Sequence, residues 1–315
     1  MKKLTLYVSA ILLITTFCFV SGPGEAVAAY PEKAITFMVP LGAGGGTDGI
    51  VRAIAARLEK VIGVPVAVKN ERGAGGRKGS IKLYKTKPDG YTIGLAHFAT
   101  LIYDETLGKK KNPIDYRKFE AILKVDQALF FINVSKKSPF NTIQDFEKAG
   151  RPIKFGATGV GSPSYLFPKA TQNVVGFQAS FVTGQKNLVA TSLAVARGDM
   201  DASVGTYTHI RGLLEDVKPI VYISAKRSHK LPDVPTIKEA GYPDLAALSV
   251  PWIIVAPPGT PEDRLVVIRS ALRKVVESKE FIDWATDAGY TPVSEGPDEI
   301  WKGLGQFKAL YEGLK

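Results

Sequence analysis

Residues 39–49 read VPLGAGGGTDG: an apolar run, five glycines and an alanine, then residues suited to open a helix. A glycine-rich turn between a strand and a helix constrains a chain strongly. It aligns backbone N–H groups at a helix N-terminus, where the helix dipole adds partial positive charge, and it leaves no Cβ to keep a ligand away. Gly44, Gly46 and Gly49 also satisfy G-x-G-x-x-G, the spacing of a dinucleotide-binding turn. That reading requires an acidic residue ending the second strand, for the ribose hydroxyls. Asn70 stands there, with Glu71 beyond it. Neither this loop nor the one at 73–76 ends in Gly-Lys-Ser/Thr, so a P-loop is excluded. The loop therefore predicts an anion, and no cofactor.

The same grammar recurs along the chain. Apolar runs at 35–39, 64–69 and 91–96 read as strands, separated by helical periodicity up to Gly63 and up to Lys85. Thr47-Asp48 reads as the N-cap of the first helix. A long apolar strand at 128–134 follows, and Thr142 to Asp145 opens a helix. Strands at 153–157, 179–182, 202–204, 220–224 and 249–256 alternate with helices at 165–175 and 187–197. Three helices, at about 262–278, 279–288 and 297–313, close the chain. Two successive α/β blocks predict two domains, crossed by the strands near 128–134 and 249–256. Residues 29–127 with 252–315 would form the first, and 128–251 the second. Three small-residue loops, at 42–48, 73–76 and 158–164, end parallel strands, where open α/β sheets bind ligands.

The first 28 residues have the anatomy of a cleaved secretory signal: Lys2 and Lys3, an apolar stretch from Leu4 to Val20, a Ser21–Gly24 break and Ala26-Val27-Ala28. The alternative is an uncleaved membrane anchor. The only cysteine, Cys18, lies in that segment, so the mature chain is expected to have no disulfide, thiol nucleophile or Cys-based metal site. Two of the 41 basic and one of the 30 acidic residues precede Ala29, which leaves a mature charge of +10. That balance steers anions toward the protein. The basic residues are scattered, without a stripe interleaved with aromatics, and this disfavours nucleic acid.

His97, His209 and His229 lack metal-ligand spacing, so no metal is expected. His97 ends a strand beside the expected cleft and is a candidate ligand contact. Asp199-Met200-Asp201 lacks the later ligands of a calcium loop. No G-x-S-x-G elbow is present, and no acid-base pair stands out. Asp48 is first a cap, and would be the partner of a ligand amino group.

The segments YPEKAITFMVPLGAGGGTD, VKNERGAGGRKGS, KPDGYTI, FGATGVGSPSYL, SAKRSHKLPDVPTIKEAGYPD and VPWIIVAPPGTP resemble, in this order, those of periplasmic solute-binding proteins of tripartite tricarboxylate transporters, the Bug family. The resemblance covers nearly the whole mature chain. It implies a two-domain α/β Venus-flytrap fold, similar to type II periplasmic binding proteins, that closes on a small carboxylate and delivers it to a membrane permease. It also implies a monomer, located in the periplasm and without catalytic activity. An exported enzyme acting on an anion, or a ligand-sensing subunit, are the alternatives. Carried onto this chain, the first carboxylate-gripping set is Gly44, Gly45, Gly46, Thr47 and Asp48 with Gly73, Ala74 and Gly75. The second set, for selectivity, is Thr158, Gly159, Gly161, Ser162 and Ser164 with Gly184 and Thr206. Where the family commonly has Pro-Phe-Ala-Pro-Gly-Gly this chain has Pro40-Leu41-Gly42-Ala43-Gly44-Gly45, and Val182-Thr183-Gly184-Gln185 replaces Tyr-Lys-Gly-Gly. These departures fall where the far end of the ligand would sit.

Overall fold

A computed structural model describes residues 30–108 and 113–312. The expected signal segment, residues 1–28, lies outside them. The chain opens β1 (Ile35–Val39), α1 (Gly46–Ile62), β2 (Val66–Asn70), α2 (Arg77–Tyr84), β3 (Thr92–Leu95) and α3 (Phe98–Thr106). β1 pairs in parallel with both β2 and β3. α1 buries Ile50, Val51, Ile54, Ala55 and Leu58. Each large aliphatic side chain contributes about 1.5–3 kcal/mol on burial, which outweighs the roughly 1 kcal/mol that each of Gly46 and Gly49 costs inside a helix.

β4 (Glu120–Ala128) and β5 (Phe130–Ser135) follow, joined only by Leu129, and they belong to different sheets. The expected single strand at 128–134 is thus the second of two. The EAILKVDQA stretch before it is a strand that alternates imperfectly, because it is covered on both faces over most of its length. Beyond β5 come β6 (Ile153–Gly156), α4 (Pro163–Val175), β7 (Ala179–Val182), α5 (Leu188–Arg197), β8 (Ala202–Gly205), the short α6 (Tyr207–Ile210) and β9 (Val217–Ile223). The helix expected from Thr142 is a 3-10 segment, Ile143–Ala149, closed by a capping box between Thr142 and Asp145. β10 (Val250–Ala256), α7 (Glu262–Val276), α8 (Lys279–Ala288), β11 (Pro292–Glu295) and α9 (Pro297–Glu312) end the fold.

The first sheet has the order β11-β4-β10-β3-β1-β2 and the second β7-β6-β8-β5-β9. Each is mixed: a parallel set carries the glycine loops, and antiparallel strands link the halves. Ala128 pairs with Val250, and Phe130 pairs with Ile223, so the two crossing segments run side by side. Helix α1 packs on α7, which brings the end of the chain back onto the first sheet.

Next to this double crossing lies Asp126, fully buried, accepting the Thr291 backbone N–H at 2.6 Å. Burial pushes its pKa up to about 8, against weaker opposing hydrogen bonds from Thr291 and Gln127. It shares a small polar cavity with Thr206, Tyr222 and Tyr290.

Candidate functional site

Helix α1 starts two to three residues earlier than Thr47-Asp48 predicts. Gly45 is its N-cap, without a side-chain cap, and Asp48 sits in the first turn. The Asp48 carboxylate instead turns onto the loop: Oδ2 accepts the Gly44 N–H at 2.9 Å and Arg52 Nε at 3.0 Å, and Oδ1 accepts Asn70 Nδ2 at 2.9 Å. Asn70 also donates to the Leu41 carbonyl. Burial alone would raise the Asp48 pKa; the hydrogen bonds from Arg52, Gly44 and Asn70 together hold it below the usual carboxylate value. Asp48 is therefore a brace between the first loop and the end of β2. Both of its oxygens are engaged.

The second loop is shaped by backbone conformation. Gly73, Ala74, Gly75 and Gly76 all have positive φ, at 140°, 48°, 64° and 94°. Only glycine adopts such a run without strain, and the one alanine in it carries a cost. The turn is buttressed from behind. Ser80 Oγ donates to the Gly76 carbonyl at 2.9 Å, and Thr100 Oγ1 donates to the Gly75 carbonyl at 2.8 Å. His97 Nδ1 lies 2.9 Å from Thr100 Oγ1, whose own proton is already committed, so Nδ1 is the protonated nitrogen. Burial pushes the His97 pKa down to about 4. His97 packs beneath Gly76, where a Cβ would come within 2.8 Å of its own Cβ. It supports the loop and does not line the cavity described below. The Ala74 and Gly75 amides have no intramolecular acceptor among the described residues.

From the second half, the 158–164 loop meets these two. Its serines work within the loop: Ser164 Oγ accepts the Thr158 N–H at 3.1 Å, and Ser162 Oγ donates to the Gly159 carbonyl at 2.7 Å. Both are fully buried. Gly161 leaves room for the Tyr103 ring.

The halves are in contact along this seam. A Cβ on Gly159 would fall 2.8 Å from Gly75 Cα. Asn187 Nδ2 donates to the Ala43 carbonyl at 3.2 Å. The stem of Lys186 lies over Gly42, where a Cβ would sit 2.9 Å from Lys186 Cγ. His209 Nε2 accepts the Gly46 N–H at 3.2 Å. Its Nδ1 lies 2.7 Å from Thr206 Oγ1 and 3.3 Å from the Thr206 backbone nitrogen, within the capping box of α6. Thus an imidazole from one half caps the helix N-terminus of the other.

Burial pushes the His209 pKa down to about 4. The unfolded chain binds a proton near pH 6.5, so the fold loses stability as pH falls from about 6.5 to 4, on the order of 3 kcal/mol in all. His209→Ala is expected to cost about 1–3 kcal/mol at neutral pH and to flatten the acid loss over that window. Urea unfolding at both ends of the window tests this, and an unchanged acid sensitivity would mean that His209 is not buried as a neutral imidazole.

Between the loops lies an open cavity of about 280 Å³, lined by Leu41, Arg72, the 73–76 turn, Lys78, Thr158 and the 184–186 segment. Of the expected site residues, Gly73, Ala74, Gly75, Thr158 and Gly184 are on its wall. Gly159 and Ser162 abut Gly75 at the seam, while Gly161 and Ser164 sit deeper in their loop. Gly44, Gly45, Gly46, Thr47 and Asp48 are grouped at the neighbouring Asn187 and His209 contacts. Thr206 faces the Asp126 cavity. Sequence reasoning missed Lys78, Lys186 and the latch role of His209. The lysines could have been noticed as charges two residues beyond Gly76 and Gly184.

A family model described as the tripartite tricarboxylate transporter family receptor matches residues 50–302. Protein BugT of Bordetella pertussis is 28% identical over 301 residues, covering 91% of this chain and 90% of its own. The structure of the periplasmic binding protein BugD superposes with a TM-score of 0.82 at 24% identity, covering 90% of this chain and 97% of that one. MatC of Rhodopseudomonas palustris, solved with bound malate, gives 0.81 at 22% identity, covering 90% and 99%. The fold is the two-domain α/β fold of periplasmic binding proteins.

Proposed function

The chain belongs to the tripartite tricarboxylate transporter receptor family, and from that premise we propose that it captures a small organic carboxylate in the periplasm by closing its cleft, then delivers it to a membrane permease. It does so as a monomer and without chemical turnover. The closing bodies are residues 29–127 with 252–315, and 128–251. One observation carries the reading: the Ala74 and Gly75 amides, without protein acceptors among the described residues, border a cavity at a seam where the two halves already touch. Hydrogen bonds from such amides to a carboxylate are charge-assisted and stronger than neutral ones. A carboxylate held there ties the loops of both halves together, so it binds the closed state better than the open one. The 73–75 turn grips it, the 44–48 loop braces the adjoining seam, and the 158–164 and 184 segments face its far end. The malate bound to MatC is an acid of this class.

Ligand that binds only the folded protein raises its stability by mass action, by about 2.7 kcal/mol at a hundred times Kd. For a chain of this size that is a rise of roughly 5–10 °C in melting temperature. The mature chain, ligand-free, is expected to show such a rise with at least one small acid and none with the matched neutral amide. Absence of any shift across mono-, di- and tricarboxylates would refute the proposal.

A further inference from the structure

Arg72, Lys78 and Lys186 all line the cavity, and no ion pair or hydrogen bond engages their side chains among the described residues. The acids that could neutralise them are committed elsewhere. Glu71 pairs with Lys82 at 2.5 Å and with Lys69 at 3.3 Å, and Asp104 holds Arg77 through both guanidinium prongs. No carboxylate lies on the cavity wall.

The three cations come from both sides of the seam. Arg72 and Lys78 flank the second glycine turn, with the Lys78 stem packed over Gly73, and Lys186 reaches over Gly42 from the opposite half. Closing the cleft therefore gathers like charges around one space, which disfavours closure until an anion enters. A single carboxylate held by the loop amides leaves most of that repulsion in place. We infer that Lys186, Lys78 and Arg72 form a second anionic subsite at the mouth of the cleft, which selects acids carrying at least two negative groups. This rests on the receptor reading above. It assigns the far-end specificity to side chains of this chain rather than to the loop amides.

The mouth is open to solvent, so each cation acts through screened charge, and the effect falls with salt. The test is calorimetry on the full mature chain with malonate, succinate, glutarate, adipate, malate and citrate, each against its monoamide, at about 20 and 200 mM salt. Wild type is expected to prefer the best diacid over its monoamide by about tenfold at low salt. The preference should shrink at high salt. Lys78→Gln/Lys186→Gln should lose about tenfold for the diacid while its monoamide binds within about twofold of wild type. Glutamine keeps the stems that pack on Gly42 and Gly73, and an unchanged melting temperature would confirm folding. Equal binding of diacid and monoamide by wild type, or a double variant that binds the diacid as wild type does, would overturn the subsite and leave the carboxylate receptor standing. No binding of any acid or monoamide would overturn both. A terminal phosphonate in place of the second carboxylate separates general anion capture, which is expected to keep the preference, from a carboxylate-specific contact.

Discussion

Gly159→Ala is expected to fold as the wild type does and to lose about a hundredfold in affinity for its acid. Its φ lies outside the left-handed region, so an added methyl meets no backbone penalty in its own loop. The penalty arises across the seam. The new Cβ would lie 2.8 Å from Gly75 Cα and 2.9 Å from the Ala74 carbonyl carbon, and closer still to the Gly75 nitrogen. Those are backbone atoms of a tight turn, which cannot rotate away as a side chain could. Overpacking of this kind costs about 1–3 kcal/mol. The cost falls only on the closed state, so it appears almost wholly in ligand affinity, where about 2.7 kcal/mol is a factor of a hundred. Gly45→Ala is the control, because its Cβ would sit 3.4 Å from Asn187 Cβ, near ordinary contact. Gly75 is a poorer probe, since its φ of 64° strains any other residue whatever the space. Calorimetry on the two alanine variants decides the matter: wild-type affinity in Gly159→Ala would mean that the bound state is not this closed one.

The second large effect concerns stability. The folded chain keeps the Asp126 proton up to about pH 8, whereas the unfolded chain releases it near 3.8. The folded state therefore binds more protons across that window, and stability falls as pH rises through it. About four pKa units at about 1.4 kcal/mol each set the scale at roughly 6 kcal/mol. Below about pH 6.5 the buried histidines oppose this, because they gain stability as pH rises from 4. Above pH 6.5 they no longer titrate, and the Asp126 loss stands alone. Asp126→Asn mimics the protonated acid and keeps an acceptor for the Thr291 N–H. It is expected to match wild type near pH 4 and to be more stable by several kcal/mol near pH 9. The decline between about pH 6.5 and 8 should vanish. Denaturant unfolding across that range would read it, and parallel wild-type and variant profiles would show that Asp126 is ionised in the native state. Because Asp126 adjoins both crossing strands, the same titration bears on the segments that any hinge motion must bend.

The sequence was most legible where the physics is local. Glycine at positive φ, apolar periodicity and small-residue turns identified the three loops and most of the elements around them, because each signal is written within about ten residues. Readings that depended on neighbours fared differently. Asp48 looked like a cap and is a brace, because Asn70 and Arg52 offered it better partners than its own helix N-terminus did. β4 was missed because burial on both faces erased the alternation that marks a half-exposed strand. Ser162 and Ser164 were expected to face ligand, yet their hydroxyls are consumed in holding the loop.

By itself, then, the sequence determined the α/β grammar, the glycine turns with their donors, and the family to which those turns belong. Tertiary structure alone decided what stands opposite them. The Gly46–His209 bond joins residues 163 apart in the chain, and the Asn187–Ala43 bond joins residues 144 apart. Lys186 reaches Gly42 over a similar separation. No local pattern encodes such pairs, because they exist only once two independently packed sheets bring their loop ends together.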